Sequence, residues 1–239
     1  NDRDYRAMET IDTLALVLGA SWAAGINLYA AILVLGYLSL TGHVVLPPGL
    51  EALSDPLVLG VAGMMYFIEF FADKTPGVDS GWDAIHTFIR IPAGALLAAG
   101  AASGIDVSQS AELAAALVGG TVAAGSHFTK SGSRLLINTS PEPVTNWSAS
   151  IAEDLAVIGA LWAALNYPLA FLAMFIVFVA LFIWLMPKLW RALKGLYQRI
   201  SAFFNGTEKS TRTDMSEGRS ETLKSLFHAA NSAENGSHK

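Results

Sequence analysis

The sequence predicts an all-α integral membrane protein of about six transmembrane or partly re-entrant helices, arranged as two inverted three-helix repeats. Three observations lead there. Hydrophobic residues fill 53% of 239 positions and charged residues only 15%, with a mean hydropathy of +0.44, more apolar than a soluble domain of this size sustains. The apolar residues gather into runs near the roughly 20-residue length that crosses a hydrocarbon core. A short small-residue motif also recurs at Gly19 and again at Gly119.

Taken in order, residues 1–11 form a cytoplasmic segment and residues 12–200 the membrane domain, with repeat one over about 12–102 and repeat two over about 111–200. The first span runs from Asp12 to Leu40. Arg3 and Arg6 precede it and the small residues Ala23 and Ala24 lie inside it, as in a signal peptide. The apolar run continues unbroken through Leu28 to Leu40, which suits a retained span better. The second span covers Asp55 to Phe71, the third Trp82 to Ala102, the fourth Ala111 to Phe128, the fifth Ile151 to Leu165 and the sixth Leu169 to Leu185. The third carries His86 and Arg90 in its first turns and the fifth is short, so these two are the candidates for re-entrant segments.

Basic residues orient the chain, since short cytoplasmic loops collect Lys and Arg. The connections at Thr41 to Ser54, Ser103 to Ser110 and Asn166 to Pro168 hold none, whereas Lys74, Arg90, Lys130, Arg134 and Lys188 fall at the alternate ends. Six spans with both termini in the cytoplasm place every basic residue on the inner side of a bacterial inner membrane. Residues 201–239 are rich in Ser, Thr, Glu, Lys, Asn and Gly and are expected to be a mobile tail, in which Leu223, Leu226 and Phe227 have the spacing of a short amphipathic helix.

The repeat rests on two matches. Gly19, Ala23, Ala24 and Gly25 recur as Gly119, Ala123, Ala124 and Gly125, and Asp55, Val58 and Gly60 are echoed by Asp154, Val157 and Gly159. Three spans per unit reverse the second unit across the membrane, the plan of many secondary transporters. The small residues, among them Gly60, Ala62 and Gly63, also serve close helix packing.

Ionisable groups inside spans are costly, so they face a cavity or a partner and mark candidate sites. Two clusters qualify. In residues 66–95, Glu69 and Asp73 share a face, Lys74 follows, and Asp79, Asp83, His86 and Arg90 form one helical stripe opposite Trp82, Ile85, Phe88 and Ile89. Asp79 also has an N-cap role open to it. In residues 125–154, His127, Lys130 and Arg134 share a face before the breaker Ser140-Pro141-Glu142-Pro143, with Asn138, Glu142, Asn146 and Glu153 around it. Pairing of Asp83 or Asp73 with Arg90 or Lys130 is the economical use of these charges in low dielectric.

Several functions drop out. A net charge of −5 lacks the basic surplus of a nucleic-acid binder, and no cysteine is present for a disulfide, a thiolate metal site or a thiol nucleophile. No GxSxG elbow, P-loop, Rossmann glycine pattern or zinc signature occurs, so neither an enzyme nor a cofactor is indicated.

Four stretches, GINLYAAILVLG at 25–36, EFFADKTPGVDSGWDAIHTFIRIPAG at 69–94, GSHFTKSGSR at 125–134 and INTSPEPVTNWSASIAED at 137–154, resemble a bacterial membrane protein family catalogued as domain of unknown function 4126. The resemblance covers about residues 12–200. It implies a compact integral membrane protein and carries over no functional residue.

The expectation is therefore a small transporter or channel-like protein for an ion or a small polar, including phosphate-bearing, solute, with the two clusters lining a polar site. One alternative is a non-catalytic subunit or assembly factor of a larger membrane complex; another is a membrane enzyme acting on lipid headgroups with a metal on Asp79, Asp83 and His86. The expected partners are the lipid bilayer, that solute, and further copies or subunits of a complex.

Overall fold

The computed structural model describes residues 2–188 apart from 76, 106 and 139–142, and beyond them 190, 191, 194, 195, 197, 198, 201 and 219. Glu142, the breaker around Pro141 and nearly all of the tail lie outside the described residues. The chain divides into two compact units, Asn1–Phe182 and Ile183–Lys239. In the second, the Lys188 ammonium stands 3.2 Å from the Trp184 ring centre.

Among the described residues every regular element is helical: α1 (Asp2–Leu40), a 3-10 turn (Pro48–Ser54), α2 (Pro56–Ala72), α3 (Val78–Ala102), α4 (Gln109–Ile137), α5 (Pro143–Asn166) and α6 (Pro168–Lys188). Local chemistry sets the starts. Pro56 sits at the first position of α2 behind Asp55, whose side chain accepts from the Leu57 N–H, and Ser108 accepts from the Ala111 N–H ahead of α4. Gly77, at φ 85°, is the N-cap position of α3, so Asp79 lies inside the first turn and is not the cap.

By length and apolarity Glu9–Leu40, Val78–Ala102, Val144–Asn166 and Pro168–Lys188 are able to cross a membrane, and the bent pair Pro48–Ser54 and Pro56–Ala72 makes a fifth crossing if taken as one. Among the described residues the protein is all-helical, and its apolar helices make it a multi-pass membrane protein. The third and fifth segments, the weakest from sequence, are full-length helices. The fourth forms a helix but falls short on hydropathy, because Gly119, Ala123, Ser126, His127 and Lys130 face the protein interior and need no apolar character.

The first segment differs most from the reading above. Asn27 has φ −147° and ψ 97°, an extended residue inside the long helix, and the chain turns back there. The limb before it runs alongside α4 in the same direction: a Cβ at Gly119 would meet the Ser21 hydroxyl, one at Gly25 would overlap the Ala123 carbonyl and the Ser126 hydroxyl, and Lys130 bonds the Ile26 carbonyl. The limb after it climbs the other way. Tyr29 reaches His86, Leu33 lies near Gly63, and Gly36 is packed on Leu53 and Leu59. Glu9, Asp12 and Leu16 accordingly line one pocket with Val44, Leu46, Pro47, Gly104 and Ala164. Both ends of α1 stand at the end of the bundle that holds the 41–55 connection, and its apex stands deep inside. At 1.5 Å per residue the limbs are about 27 Å (Glu9 to Ile26) and about 20 Å (Leu28 to Leu40) long.

This geometry bears on the repeat. The matched glycine motifs lie side by side on parallel stretches of α1 and α4. The second matched pair lies on antiparallel helices, since Tyr66 of α2 bonds Asp154 of α5 while Lys74, further along α2's direction, bonds the earlier Ser150. One inversion does not relate both pairs. Beside large residues such as Leu35, Leu161 and Phe171 the core holds many small ones, Ala15, Ala20, Ala23, Ala24, Ala31, Ala98, Ala101 and Ala123, all buried, which lets backbones approach as membrane helices require. Gly60 and Gly63, expected to pack likewise, have open space around them, with Leu33 alone near Gly63.

Candidate functional site: a buried charge network at the α1 break

The inward stripe of α3 starts the site. Asp79, Asp83, His86 and Arg90 are at most 2% exposed, while Ile85, Phe88 and Ile89 on the opposite face are 63%, 83% and 42% exposed. This is a soluble amphipathic helix turned inside out, and lipid is the solvent that suits it.

Three other helices, α2, α4 and α5, bring charges to that stripe. Arg90 of α3 donates through Nη2 to Glu69 of α2 (2.5 Å) and through Nη1 to Asp83 (3.1 Å). Lys130 of α4 lies 2.7 Å from Asp73, 3.4 Å from Glu69 and 3.6 Å from Glu153 of α5. Arg134 forks onto Glu153 with Nε at 3.2 Å and Nη2 at 2.7 Å, and donates through Nη1 to the backbone carbonyls of Asp73 and Asn146. The Asp83–Arg90 and Asp73–Lys130 pairs are among those expected from charge alone. Seven groups thus form one continuous network, and all but Glu153 are nearly sealed from solvent. One oxygen each of Glu69, Asp73 and Asp83 is buried without a hydrogen-bond partner, as is Arg90 Nε.

Both histidines join the network through both ring nitrogens. Thr87 donates its hydroxyl proton to the Asp83 carbonyl, so at 2.7 Å it accepts from His127 Nε2–H, and His127 Nδ1 is left to accept from Arg90 at 3.2 Å. His86 faces the Trp82 carbonyl through Nδ1 and therefore donates there, while its Nε2 lies 3.2 Å from the Tyr29 hydroxyl, whose proton has no other acceptor among the described residues and is therefore given to Nε2. Trp82 stacks on the same ring, 4.3 Å between centroids.

Around the core of the network, Asp79 accepts from the Gly77 and Ser80 backbone N–H groups and from Asn138, whose carbonyl in turn accepts from Asn146. Lys74 donates to the Phe70 carbonyl and to Ser150, with its ammonium 2.8 Å from the Phe70 ring centre. Burial holds the Lys74 amine below the ordinary lysine range, with Asp154 and Asp73 pulling the other way. Every candidate residue from Glu69 to Glu153 that is described takes part.

Sequence reasoning passed over the α1 break. Asn27 accepts from the Ala30 N–H through Oδ1, capping the second limb, and donates through Nδ2 to Asp154, which also accepts from Tyr66. Carbonyls left free where the first limb ends are taken by Ser126 (Trp22) and Lys130 (Ile26). The available signal was Asn27 itself, the one amide in the run from Leu14 to Leu40. Among the described residues no group of three or more His, Asp or Glu is placed to hold a metal; Asp79, Asp83 and His86 each face other partners.

Among curated proteins and solved structures, none matches the chain. The network and the α1 apex all lie within residues 14–188, the stretch matched by the model of a family described as Domain of unknown function (DUF4126), and the chain belongs to that family.

Proposed function

We propose that the protein is a small transporter or channel-like protein of a bacterial inner membrane, moving an ion or a small polar solute through the region now closed by the charge network. The observation that carries the reading is the inward direction of the α3 stripe toward a broken helix. Charges turned toward one another inside the chain do not face a neighbouring subunit, and a discontinuous helix whose freed carbonyls face cations at membrane depth is how transporter sites are built. The reading needs no inverted repeat. Lys74, Arg90, Lys130 and Arg134 orient the network-bearing end inward, which puts Glu9 on the outer side and not on the cytoplasmic side expected for residues 1–11. The paired charges are then a gate, in which one solute charge displaces one partner.

Proteoliposomes test this. The wild-type protein is expected to take up at least one member of a panel of protons, alkali ions, and phosphorylated and zwitterionic solutes above empty vesicles. Glu69→Gln and Arg90→Ala, checked for folding by size-exclusion chromatography, are expected to lose that uptake. Failure of every solute to move, or wild-type uptake by both variants, removes the proposal.

A further inference from the structure

The network does not balance. Four carboxylates, Glu69, Asp73, Asp83 and Glu153, face three cations, Arg90, Lys130 and Arg134. The groups around it do not supply the missing charge. His127 accepts from Arg90 and is neutral; the buried Tyr29 hydroxyl donates to His86 Nε2, so His86 is neutral as well. Lys74 makes no ion pair with any of the four carboxylates and donates instead to the Phe70 carbonyl and Ser150, and Asp79 is held separately by backbone amides and Asn138. One negative charge is left over in a region almost without solvent, where an uncompensated ion is heavily penalised. Three carboxylate oxygens, one on each of Glu69, Asp73 and Asp83, are buried without a partner. They do not converge as a metal site. A cation that needs only one oxygen is a proton.

We propose that the network holds one exchangeable proton, shared among the carboxyls of Glu69, Asp73 and Asp83, and that, given the transport reading above, this proton is the ion the protein moves or couples to. Loading is a plain acid–base step: hydronium gives its proton to a carboxylate oxygen, an O–H bond forms, water leaves, and no electron changes hands. Sharing follows from the geometry. Glu69 and Asp83 both bond Arg90, and Asp73 and Glu69 both approach Lys130, so the proton redistributes as the cations shift between them.

Sharing has a signature that a fixed protonated residue lacks. Replacing any one of the three carboxylates by its amide leaves three acids against three cations, and the proton is no longer needed. Infrared spectra of the full chain in vesicles at neutral pH are expected to show the carbonyl stretch of one protonated carboxyl per chain, shifted in deuterium oxide. That band is expected to vanish in Glu69→Gln, in Asp73→Asn and in Asp83→Asn alike, with each variant folded by circular dichroism. Absence of the band in the wild type, or its persistence in any folded member of the three, overturns the inference. Because this readout needs no flux, a band that behaves as expected while no solute moves sinks the transport reading alone, and solute uptake without the band sinks the shared proton alone.

Discussion

Arg90 meets Glu69, Asp83 and His127 with one planar guanidinium, and nothing smaller or rounder reaches all three. Arg90→Ala leaves two buried carboxylates with Lys130 as their remaining cation, and a loss of about 3–5 kcal/mol is expected from such a broken buried pair. Arg90→Lys, which keeps the charge but not the fork, is expected to melt between that variant and the wild type in detergent. A lysine variant as stable as the wild type would show that charge, and not geometry, is what Arg90 supplies. At this scale much was legible beforehand. Spacings of three and four residues assign Asp79, Asp83, His86 and Arg90 to one stripe, and the cost of burying either charge alone calls for pairing of Asp83 or Asp73 with Arg90 or Lys130, without assigning which carboxylate meets which cation. The tautomers of His86 and His127 were not legible, because they depend on Thr87, Tyr29 and a backbone carbonyl that only the fold brings near.

At the scale of the element, α1 and the α3–α4 contact set the architecture. Asn27 both caps the second limb of α1 and holds Asp154, so Asn27→Ala is expected to cost about 1–2 kcal/mol for the cap and to speed amide exchange at Ala30; unchanged protection there would mean that the break does not rely on its cap. The junction of α1, α3 and α4 is equally specific. A Cβ at Gly119 would collide with Ala98 and crowd Ser21 and the Gly94 carbonyl, whereas one at Gly60 meets nothing. Gly119→Ala is thus expected to lower the melting temperature clearly, and Gly60→Ala to leave it level or raise it slightly through better helix propensity. Equal effects would refute the packing argument. The break in α1 was hidden from sequence because an asparagine weighs little against an apolar run of this length, and hydropathy windows do not register backbone direction. The direction of the matched motifs was hidden for the same reason: similarity between Gly19–Gly25 and Gly119–Gly125 carries no sign.

For the whole molecule, the turn at Asn27 changes which side each segment reaches. Glu9 shares an end of the bundle with the 41–55 connection, opposite the Thr75 turn. The chain contains no cysteine, so single substitutions report cleanly. Glu9→Cys and Thr41→Cys are expected to react with an impermeant maleimide from one side of the membrane and Thr75→Cys from the other; labelling of Glu9→Cys together with Thr75→Cys would restore a single crossing for α1. The inward stripe of α3 has a further consequence, for how the chain enters the bilayer. Each charged residue at the centre of a lone helix opposes insertion by about 2.5–3.5 kcal/mol, so α3 with Asp83 and Arg90 is a poor candidate to partition by itself. Glu69 of the preceding helix meets Arg90 across a turn of only a few residues, so α2 and α3 are suited to leave the translocation machinery as a pre-paired hairpin. The two carboxylates that Lys130 approaches most closely, Asp73 and Glu69, are then already in place when α4 follows. The charge pairs that close the finished protein would thus also set the order in which its helices are made at home in lipid.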